Sequence, residues 1–422
     1  MRAGFAQKEI TPELPVQLIG ENRVAHTVHD PLAVHVGVFE SEPDQPLLLL
    51  VSADLIAIDG LLLRLIQQKL ATVSERRLRQ AHLLLGAIHT HSAPGGTVNT
   101  TDADSILRGQ DRIFGKTNPD YLEKVADAAL QAMGTALDKL EPVCVRLKRF
   151  ALEGIGTNRD DSALPADSRA FGLAFVGACE QNLLLHFSCH PTVLKGTEVS
   201  ADLLWGIGAA LPDFETIVFF NGDAGDISTR FTRTSTDFAQ IERYQARFAD
   251  AWIAVPWQDV SAPSFSIHSV TVEVPTRSVL PLPDLTRALA DADRAAAEAH
   301  QVHPNSGILR LAESRAEGLR AAMQARGALS RHISVTMPIS FLSFCGLRII
   351  TYPGELFSSL VREGGWETLP YFFCYTNGYT MYLADKAAHA RGDYEAMASF
   401  FGEGTGEEVM GWMREQALLI DW

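Results

Sequence analysis

The chain has 422 residues, and its 36 basic and 51 acidic side chains give a formal net charge of −15. Because the acidic surplus is spread without long blocks of like charge, it argues against a nucleic-acid partner and against electrostatic binding to anionic membranes. The hydrophobic content of 46% and the charged content of 21% are typical of a soluble globular protein with a sizeable core.

The N-terminus and the cysteines bear on the cellular compartment. The start MRAGFAQKEITPELPVQL has no apolar segment behind a basic start and no small-residue cleavage pattern, so we expect no export signal. The longest apolar stretches stay short of the roughly 20 residues that span a bilayer, so we expect no transmembrane segment. The cysteines lie mostly in apolar runs and are predicted to be reduced core thiols: Cys144, Cys179, Cys189, Cys345 and Cys374. The prediction is a cytoplasmic protein without disulfides.

Taken in chain order, short apolar runs alternate with stretches of helical periodicity. The run PLLLLVSADLI, the helix-like GLLLRLIQQKLATVSERRL and the run HLLLGAI predict a parallel crossover, and PDYLEKVADAALQAMGTAL predicts a further helix. Residues 268–275 and 333–343 are predicted to be antiparallel neighbours, and a helical hairpin is predicted at about 283–328. The fold class is therefore α/β, a single large domain over residues 1–422 with mixed sheets flanked by helices.

Ligand-capable side chains follow several of the predicted strands. In AIHTHSAPGG, an extended backbone would point His89 and His91 to the same side, toward one pocket at the end of a strand. A catalytic zinc ion takes about three imidazole or carboxylate ligands and keeps an open position. His89, His190 in LHFSCHPTVL and Glu355 in IITYPGELF satisfy that number, although an ordinary set of hydrogen-bonded side chains is an open alternative.

The stretch FFNGDAGDIS allows two interpretations. One is a tight turn in which Gly222 and Gly225 adopt positive φ and the aspartates cap the backbone. The other places Ser228 or the N–H groups of the turn beside a reacting carbonyl. The sequence has no GxSxG elbow and no GxxxxGK[ST] loop, so neither an α/β-hydrolase triad nor a nucleotide cofactor is predicted.

A series of stretches, in order, resembles the neutral (non-lysosomal) ceramidase family. HTHSAPGG is similar to its HTHSGPGG signature, GTNRDDS to its NRS segment, CHPTVL and SADL to its HPT and SGD segments, and NGDAGDIS to its NxGDVSPN loop. YPGELF resembles its PGE motif, and YTMYLADKAAHARGDYEA the stretch with its two active-site tyrosines. The resemblance runs from about Phe5 to Tyr394. It implies the catalytic domain of neutral/alkaline ceramidases without their C-terminal immunoglobulin-like domain, since the chain ends at Trp422.

The resemblance also implies the site. Its zinc ligands fall on His89, His190, Glu355 and Tyr382, and its remaining active-site residues fall on Ser228, His91, Arg159 and Tyr394. In this scheme His91 moves a proton, Tyr394 stabilises an oxyanion, and Arg159 orients the substrate. An ion pair of Arg159 with Asp160 or Asp161 is the alternative. We expect water activated by zinc to attack directly, with Ser228 assisting.

The function implied is that of a zinc-dependent amidohydrolase, acting on the linear amide C–N bond of a small-molecule or lipid N-acyl substrate and placed in sphingolipid metabolism if that substrate is ceramide. The sequence departs from the family after Ser228 and in ADKAA, close to the substrate side, so ceramide is one candidate among several. A non-catalytic metal-binding homologue and a zinc hydrolase of another amide or ester stay open. A barrel-type amidohydrolase would need eight strand–helix repeats, which the antiparallel pattern disfavours.

Overall fold

A computed structural model describes residues 1–43, 45–302 and 307–420. Its strands are β1 (Arg2–Glu9), β2 (Val16–Gln17), β3 (Val24–Ala25), β4 (Thr27–Val28), β5 (Ala33–Glu40), β6 (Leu48–Ala53), β7 (His82–Ala87), β8 (Glu141–Pro142), β9 (Cys144–Ala151), β10 (Thr157–Asn158), β11 (Arg169–Val176), β12 (Gln181–Phe187), β13 (Glu198–Val199), β14 (Thr216–Asn221), β15 (Ile227–Ser228), β16 (Gln258–Asp259), β17 (Phe265–Pro275), β18 (Ser334–Phe344), β19 (Leu347–Thr351), β20 (Glu355–Leu356), β21 (Tyr371–Phe373) and β22 (Tyr382–Leu383). Its helices are α1 (Gly60–Thr72), α2 (Arg76–Arg79), α3 (Asp111–Phe114), α4 (Pro119–Asp138), α5 (Leu203–Ala209), α6 (Phe238–Ile253), α7 (Leu282–Val302), α8 (Gly307–Leu329), α9 (Ser358–Glu363), α10 (Lys386–Arg391), α11 (Tyr394–Ala398) and α12 (Thr405–Leu419).

Three larger sheets organise the chain. Their strand orders are β7-β6-β5-β1-β8, β14-β12-β11-β9-β16 and β17-β18-β19-β21. Each sheet is mixed: β6 and β7, β12 and β14, and β19 and β21 are parallel pairs, whereas the other long neighbours are antiparallel. The predicted class of mixed sheets with helices is confirmed.

The pairings expected from the sequence are present. The parallel crossover runs from β6 through α1 and α2 to β7, with Leu48 opposite His82 and Ala53 opposite Ala87. The antiparallel pair is β17 with β18, in a register that joins Phe265 to Phe344. This long antiparallel ribbon is incompatible with a barrel of eight parallel strands.

The core lies where the sheets face one another. One buried cluster combines Phe5 and Phe39 of the first sheet with Phe175 of the second and Phe344 of the third. Phe39 lies 5.0 Å from both Phe175 and Phe344 between ring centroids, the spacing of favourable aromatic contacts. A larger cluster fills the opposite faces beneath the amphipathic helices α1, α4 and α6, so helices cover the sheets from outside.

Two other predictions bear on the fold. Helices α7 and α8 occupy the segment predicted as a helical hairpin and pack through a small cluster that includes Leu285 and Leu319. Residues 303–306, in the predicted turn between them, lie outside the described residues.

The cysteine prediction is wrong in part, because Cys144 and Cys179 are exposed. Cys144 begins β9 and Cys179 lies in the β11–β12 turn, where apolar neighbours in the sequence do not ensure burial. Among the described helices, none combines the length and apolar character that a membrane span requires.

Candidate metal centre

The site forms where the carboxyl ends of three parallel strand pairs converge, one pair in each large sheet. His89 follows β7, His190 follows β12, and Glu355 begins β20 shortly after β19. Cross-links join these ends: Ala87 N–H donates to the carbonyl of Tyr375 at 3.2 Å, and Cys374 N–H to that of Asn221 at 2.9 Å. Such strand ends are the usual location of sites in α/β proteins.

Asn221, the last residue of β14, fixes the separation of the two histidine segments. Its side-chain amide donates to the carbonyls of Ile88 at 3.2 Å and Cys189 at 3.0 Å, the residues that immediately precede His89 and His190. Its side-chain oxygen accepts from Cys189 N–H at 3.2 Å. Asn221 is completely buried, so these bonds replace hydration lost on folding.

The two histidines of the HxH pair lie together as predicted, but the extended backbone from which this was predicted is absent. His89 is not extended: its φ is +74°, in the left-handed region that a residue with a Cβ rarely adopts. Its N–H bonds the carbonyl of Leu55 at 2.9 Å, which pulls the backbone out of the sheet. His89 and His91 nevertheless lie together, with ring centroids 5.1 Å apart and planes at 89°. The strained backbone at His89 is a local cost of the kind that functional sites carry.

Both principal imidazoles present the same nitrogen to the centre. Nδ1 of His89 lies 2.7 Å from the carbonyl of Ile56, and Nδ1 of His190 lies 2.6 Å from that of Ala224. A carbonyl only accepts, so Nδ1 carries the proton in each neutral ring and Nε2 presents a lone pair. The two Nε2 atoms lie 3.3 Å and 2.9 Å from Oε2 of Glu355.

Glu355 and Tyr382 reach the site together because β20 and β22 are parallel partners in which these two residues are opposite each other. The other carboxylate oxygen of Glu355 accepts a hydrogen bond from the hydroxyl of Tyr379. The hydroxyl of Tyr382 lies 3.5 Å from a guanidinium nitrogen of Arg159. Both Glu355 and Tyr382 are buried.

This donor set fits a divalent cation. Two Nε2 lone pairs and a carboxylate oxygen converge with no proton between them, and His89 Nε2 and Glu355 Oε2 have no hydrogen-bond partner among the described residues. Buried acceptors left in this way are costly unless a positive charge joins them. The ligand atoms of His89, His91 and His190 also all lie within 4.8 Å of one another, so this group could hold a metal.

The pKa shifts at the centre favour the protonation states in which these side chains can bind a metal. Burial lowers the pKa of His190 to about 4, and burial followed by the charges of His89 and His190 lowers the pKa of His91 well below its ordinary value. Burial acts to raise the pKa of Glu355, but the facing His89 and His190 hold it well below the usual range. At neutral pH Glu355 is therefore a carboxylate, and His190 and His91 are neutral imidazoles, which are the forms that bind metals.

The NGDAGDIS loop packs under the centre by close backbone approach. Neither Gly222 nor Gly225 has a positive φ, so the predicted turn with left-handed glycines is wrong. Gly225 N–H donates to the carbonyl of Leu356 at 2.8 Å, and a Cβ at Gly225 would lie 2.7 Å from the carbonyl oxygen of Glu355. Absence of a side chain is what lets this loop contact the Glu355 strand.

The aspartates of this loop bind other segments of the site. Asp226 accepts from Ser358 N–H at 2.7 Å and from the side-chain amide of Asn158 at 3.2 Å, and Asp223 accepts from the Ser188 hydroxyl at 2.7 Å. Burial raises the pKa of Asp226 to about 6. These bonds connect the loop to β10, to α9 and to the residue that follows β12.

Ser228 is buried at the end of this loop. It lies opposite Thr157 of β10 and forms an isolated parallel bridge with His190. Its hydroxyl oxygen accepts from Arg230 N–H at 3.3 Å. Among the described residues no imidazole is within hydrogen-bonding distance of this hydroxyl, so the structure offers Ser228 no positioned base.

Arg159 has a different partner from either one considered in the sequence. Its guanidinium forms a 2.9 Å ion pair with Glu395, whose side chain is completely buried, rather than with Asp160 or Asp161. Burial, followed by the charge of Glu395, raises the pKa of Asp160 to about 8, so that carboxyl group is largely protonated at neutral pH. Arg159 also lies 3.5 Å from Nε2 of His190, so this interior ion pair places it beside the centre.

All four residues expected around the reaction centre line one cavity of about 310 Å³, together with His190 and Tyr382. They are His91, Arg159, Ser228 and Tyr394. The ring of Tyr394 lies 5.9 Å from that of Tyr382 in an edge-to-face arrangement. Gly318 of α8 brings this helix against Tyr394, since a Cβ there would lie 3.0 Å from the Tyr394 Cα. Helices α8 and α11 thus form one wall of the cavity.

Some residues of the site were missed in the sequence. Tyr375 stacks on His89 with ring centroids 4.2 Å apart, Tyr379 bonds Glu355, and Asn221 and Glu395 have the roles described above. A tyrosine three residues before Tyr382 and the acid directly after Tyr394 were visible signals. Asn221 and Tyr375 gave none, because their partners are remote in sequence.

The whole chain is similar to solved ceramidase structures. Neutral ceramidase from Pseudomonas aeruginosa matches with a TM-score of 0.71 at 16% identity, covering 98% of this chain and 74% of that one. A structure described as ceramidase complexed with C2 matches with a TM-score of 0.70 at 15% identity, covering 97% and 73%. No protein-family model and no curated protein matches the sequence. The chain therefore has the neutral ceramidase fold that its motifs predicted.

Proposed function

We propose that this protein is a zinc-dependent amidohydrolase that cleaves an N-acyl amide bond. The observation that carries the proposal is the convergence of two imidazole Nε2 lone pairs, 3.3 Å and 2.9 Å away, on one oxygen of Glu355. Each imidazole is held in that tautomer by a backbone carbonyl, the arrangement that orients histidines toward metals.

The ligands we propose are His89, His190, Glu355 and Tyr382. A zinc ion bound there would polarise a carbonyl oxygen and lower the pKa of a coordinated water from about 15.7 to about 7. Tyr382 is the proposed fourth ligand because it lies opposite Glu355 in the β20–β22 pair and its hydroxyl is 3.5 Å from a guanidinium nitrogen of Arg159. Burial, followed by the charge of Glu355, raises the pKa of this phenol well above its usual value, so Tyr382 would bind as the neutral hydroxyl. His91 is the alternative nitrogen ligand, since its ligand atom lies within 4.8 Å of the other two imidazoles.

The remaining side chains supply proton transfer and orientation. His91 is neutral at pH 7 and its buried Nε2 is unpartnered, so it is placed to accept a proton from an attacking water. Burial raises the pKa of Tyr394, so its hydroxyl stays protonated and can donate to an oxyanion. Arg159, held by Glu395, orients a polar group of the substrate.

We assign Ser228 an auxiliary part in binding rather than a nucleophilic one. Its hydroxyl accepts from Arg230 N–H and lacks a base among the described residues. A Ser228→Ala variant is expected to keep substantial turnover and to form no acyl intermediate. Complete loss of turnover, with zinc content and folding unchanged, would instead favour a covalent route.

The test is hydrolysis of N-acyl amides, including a short-chain ceramide, by the zinc-loaded protein. Chelation and His89→Ala should both abolish the activity, whereas His268→Ala, at an exposed position on β17, should leave it unchanged. Full activity of metal-free protein would refute zinc dependence. Zinc binding without hydrolysis of any amide or ester would favour the alternative of a non-catalytic metal-binding homologue, and ester hydrolysis alone would favour a different zinc hydrolase.

A further inference from the structure

The cavity beside the candidate metal centre is strongly cationic. Its lining contains one carboxylate, Glu317, against five basic side chains: Arg159, Lys195, Arg230, Arg233 and Arg310. This composition contrasts with the protein as a whole, whose formal charge is −15. A cleft lined by positive charge in an otherwise acidic protein favours the binding of an anionic group.

Two of the five basic groups are already paired. Arg159 pairs with buried Glu395, and Arg310 forms two parallel hydrogen bonds with Glu317 at 2.9 Å and 3.0 Å. Lys195, Arg230 and Arg233, here called the cationic trio, have no carboxylate within 4.0 Å among the described residues. The unpaired positive charge of the cavity therefore resides in the trio.

The trio is attached to the catalytic segments. The guanidinium of Arg233 donates to the carbonyl of Thr192 at 2.5 Å, and Thr192 N–H donates to the carbonyl of His190 at 2.9 Å. The guanidinium of Arg230 donates to the carbonyl of Arg159 at 2.6 Å. Each arginine is thus oriented by one backbone contact and keeps further N–H donors for a ligand.

Lys195 lies at the exposed rim of the same cavity. Partial desolvation of its ammonium group, followed by the charges of Arg233 and Arg310, lowers the pKa of Lys195 to about 8. Desolvation, followed by the charge of Arg159, likewise lowers the pKa of Arg230 to about 10. Both directions are those expected of positive charges that lack a counterion.

The described lining includes no aliphatic hydrocarbon side chain, and its aromatic members are two histidines and the two tyrosines Tyr382 and Tyr394. A pocket for a long acyl chain would be lined predominantly by apolar groups. Arginine forks match carboxylate and phosphate oxygens in geometry and charge.

We propose that the substrate is an N-acyl compound with an anionic group, a carboxylate or a phosphate monoester, which binds the cationic trio while the scissile amide lies at the metal centre. The inference rests on the proposed function for the amide, but the binding of the anion is a separate property. It makes neutral ceramide a poor substrate for this chain.

The experiment compares matched substrates. N-hexanoylglycine is paired with N-hexanoylglycinamide, and the O-phosphate of N-hexanoylethanolamine with N-hexanoylethanolamine, so each pair has one anionic and one neutral member with the same acyl chain. We expect kcat/KM of the zinc-loaded protein to favour the anionic member by about 10- to 100-fold, the range for one charge-assisted hydrogen bond. The pair with the larger ratio identifies the source of the anion.

Two variants separate this site from general effects. Lys195→Met should reduce the preference mainly through KM, and Arg233→Met should reduce it further. Arg287→Met, at an exposed ion pair with Asp284 on α7, should leave the preference unchanged. Hydrolysis that is equal for charged and neutral members, or a preference that both pocket variants retain, would overturn the anionic subsite while leaving the proposed function intact.

Direct binding decides the case in which no amide is hydrolysed. The proposed function would then fail, and inorganic phosphate would be titrated calorimetrically into the zinc-loaded protein. Binding that Lys195→Met weakens at unchanged zinc content supports the subsite. Absence of binding, or binding that the substitution leaves unaltered, overturns it.

Discussion

Glu355→Gln is the substitution that most sharply separates a metal centre from an ordinary buried cluster. In the protein, Oε2 of Glu355 faces two imidazole nitrogens that have lone pairs and no protons. Glutamine has nearly the same shape, and its amide nitrogen would replace Oε2 at 2.9 Å from His190 and 3.3 Å from His89. The other oxygen would still accept from Tyr379. The substitution thus provides N–H donors to the two imidazole nitrogens that face residue 355.

The expected effect on stability reverses with zinc. Satisfying buried acceptors that lack a partner is worth about 1–3 kcal/mol, so metal-free Glu355→Gln should be more stable than the metal-free protein by that amount. Zinc at about 1,000 times its dissociation constant stabilises a folded protein by about 4.1 kcal/mol, which exceeds that gain. A neutral amide is a poorer ligand than a carboxylate, so the variant should lose most of this increment and become the less stable protein in zinc.

The assay is urea unfolding of both proteins in chelator and in zinc, with bound zinc measured in parallel. Glu395→Gln is the matched control, because it removes a buried carboxylate that pairs with Arg159 instead of facing the imidazoles. It should destabilise the protein in both conditions and retain the zinc increment. Unchanged zinc content in Glu355→Gln, or lower stability than the parent protein in chelator, would show that Glu355 is not a metal ligand facing unprotonated imidazoles.

Further predictions concern the surroundings of the centre. Gly225→Ala should lower the free energy of unfolding by about 1–3 kcal/mol, because its Cβ would lie 2.7 Å from the Glu355 carbonyl oxygen. The control Gly411→Ala has open space around it and should not destabilise α12. Equal urea midpoints for the two variants would contradict this prediction. Tyr379→Phe removes the hydrogen bond that orients Glu355 and should weaken zinc affinity about 10- to 100-fold in a competition titration, and parent-like affinity would remove Tyr379 from this role. With a pKa of about 8, Lys195 is protonated below that pH, so kcat/KM for an anionic substrate should fall as pH rises through 8, and Lys195→Met should lack this decrease relative to the neutral substrate.

Sequence patterns predicted the features of the fold that depend on local periodicity. The crossover from β6 to β7 and the ribbon of β17 with β18 follow from apolar alternation and segment length, which report burial directly. The motifs also selected His89, His190 and Glu355, and the structure places the Nε2 atoms of the two histidines 3.3 Å and 2.9 Å from one carboxylate oxygen of Glu355.

Local patterns failed where remote contacts decide the conformation. The positive φ of His89 accompanies a hydrogen bond to Leu55, which is remote in the sequence, and Gly225 is required by the approach of Glu355 rather than by its own turn. Arg159 pairs with Glu395 instead of its neighbours because the interior of the fold joins β10 to α11. The spacing of residues along the sequence does not indicate which of these remote segments come into contact.

The departure of the sequence after Ser228 has a structural consequence. In GDISTRF the residue two positions after this serine is Arg230, which lines the cavity and belongs to the cationic trio. This part of the sequence differs from the ceramidase pattern. The difference places Arg230 in the cavity, and the proposed substrate preference depends in part on its charge.

Zinc X-ray absorption and anomalous diffraction on the purified protein would show whether His89, His190 and Glu355 share one metal ion. We expect one zinc ion per chain, bound by nitrogen and oxygen ligands at about 2.0–2.2 Å, between Nε2 of His89, Nε2 of His190 and the Glu355 carboxylate. Loss of this ion in His89→Ala is expected as well. A protein that binds no stoichiometric metal, or binds it away from these three side chains, would contradict the account.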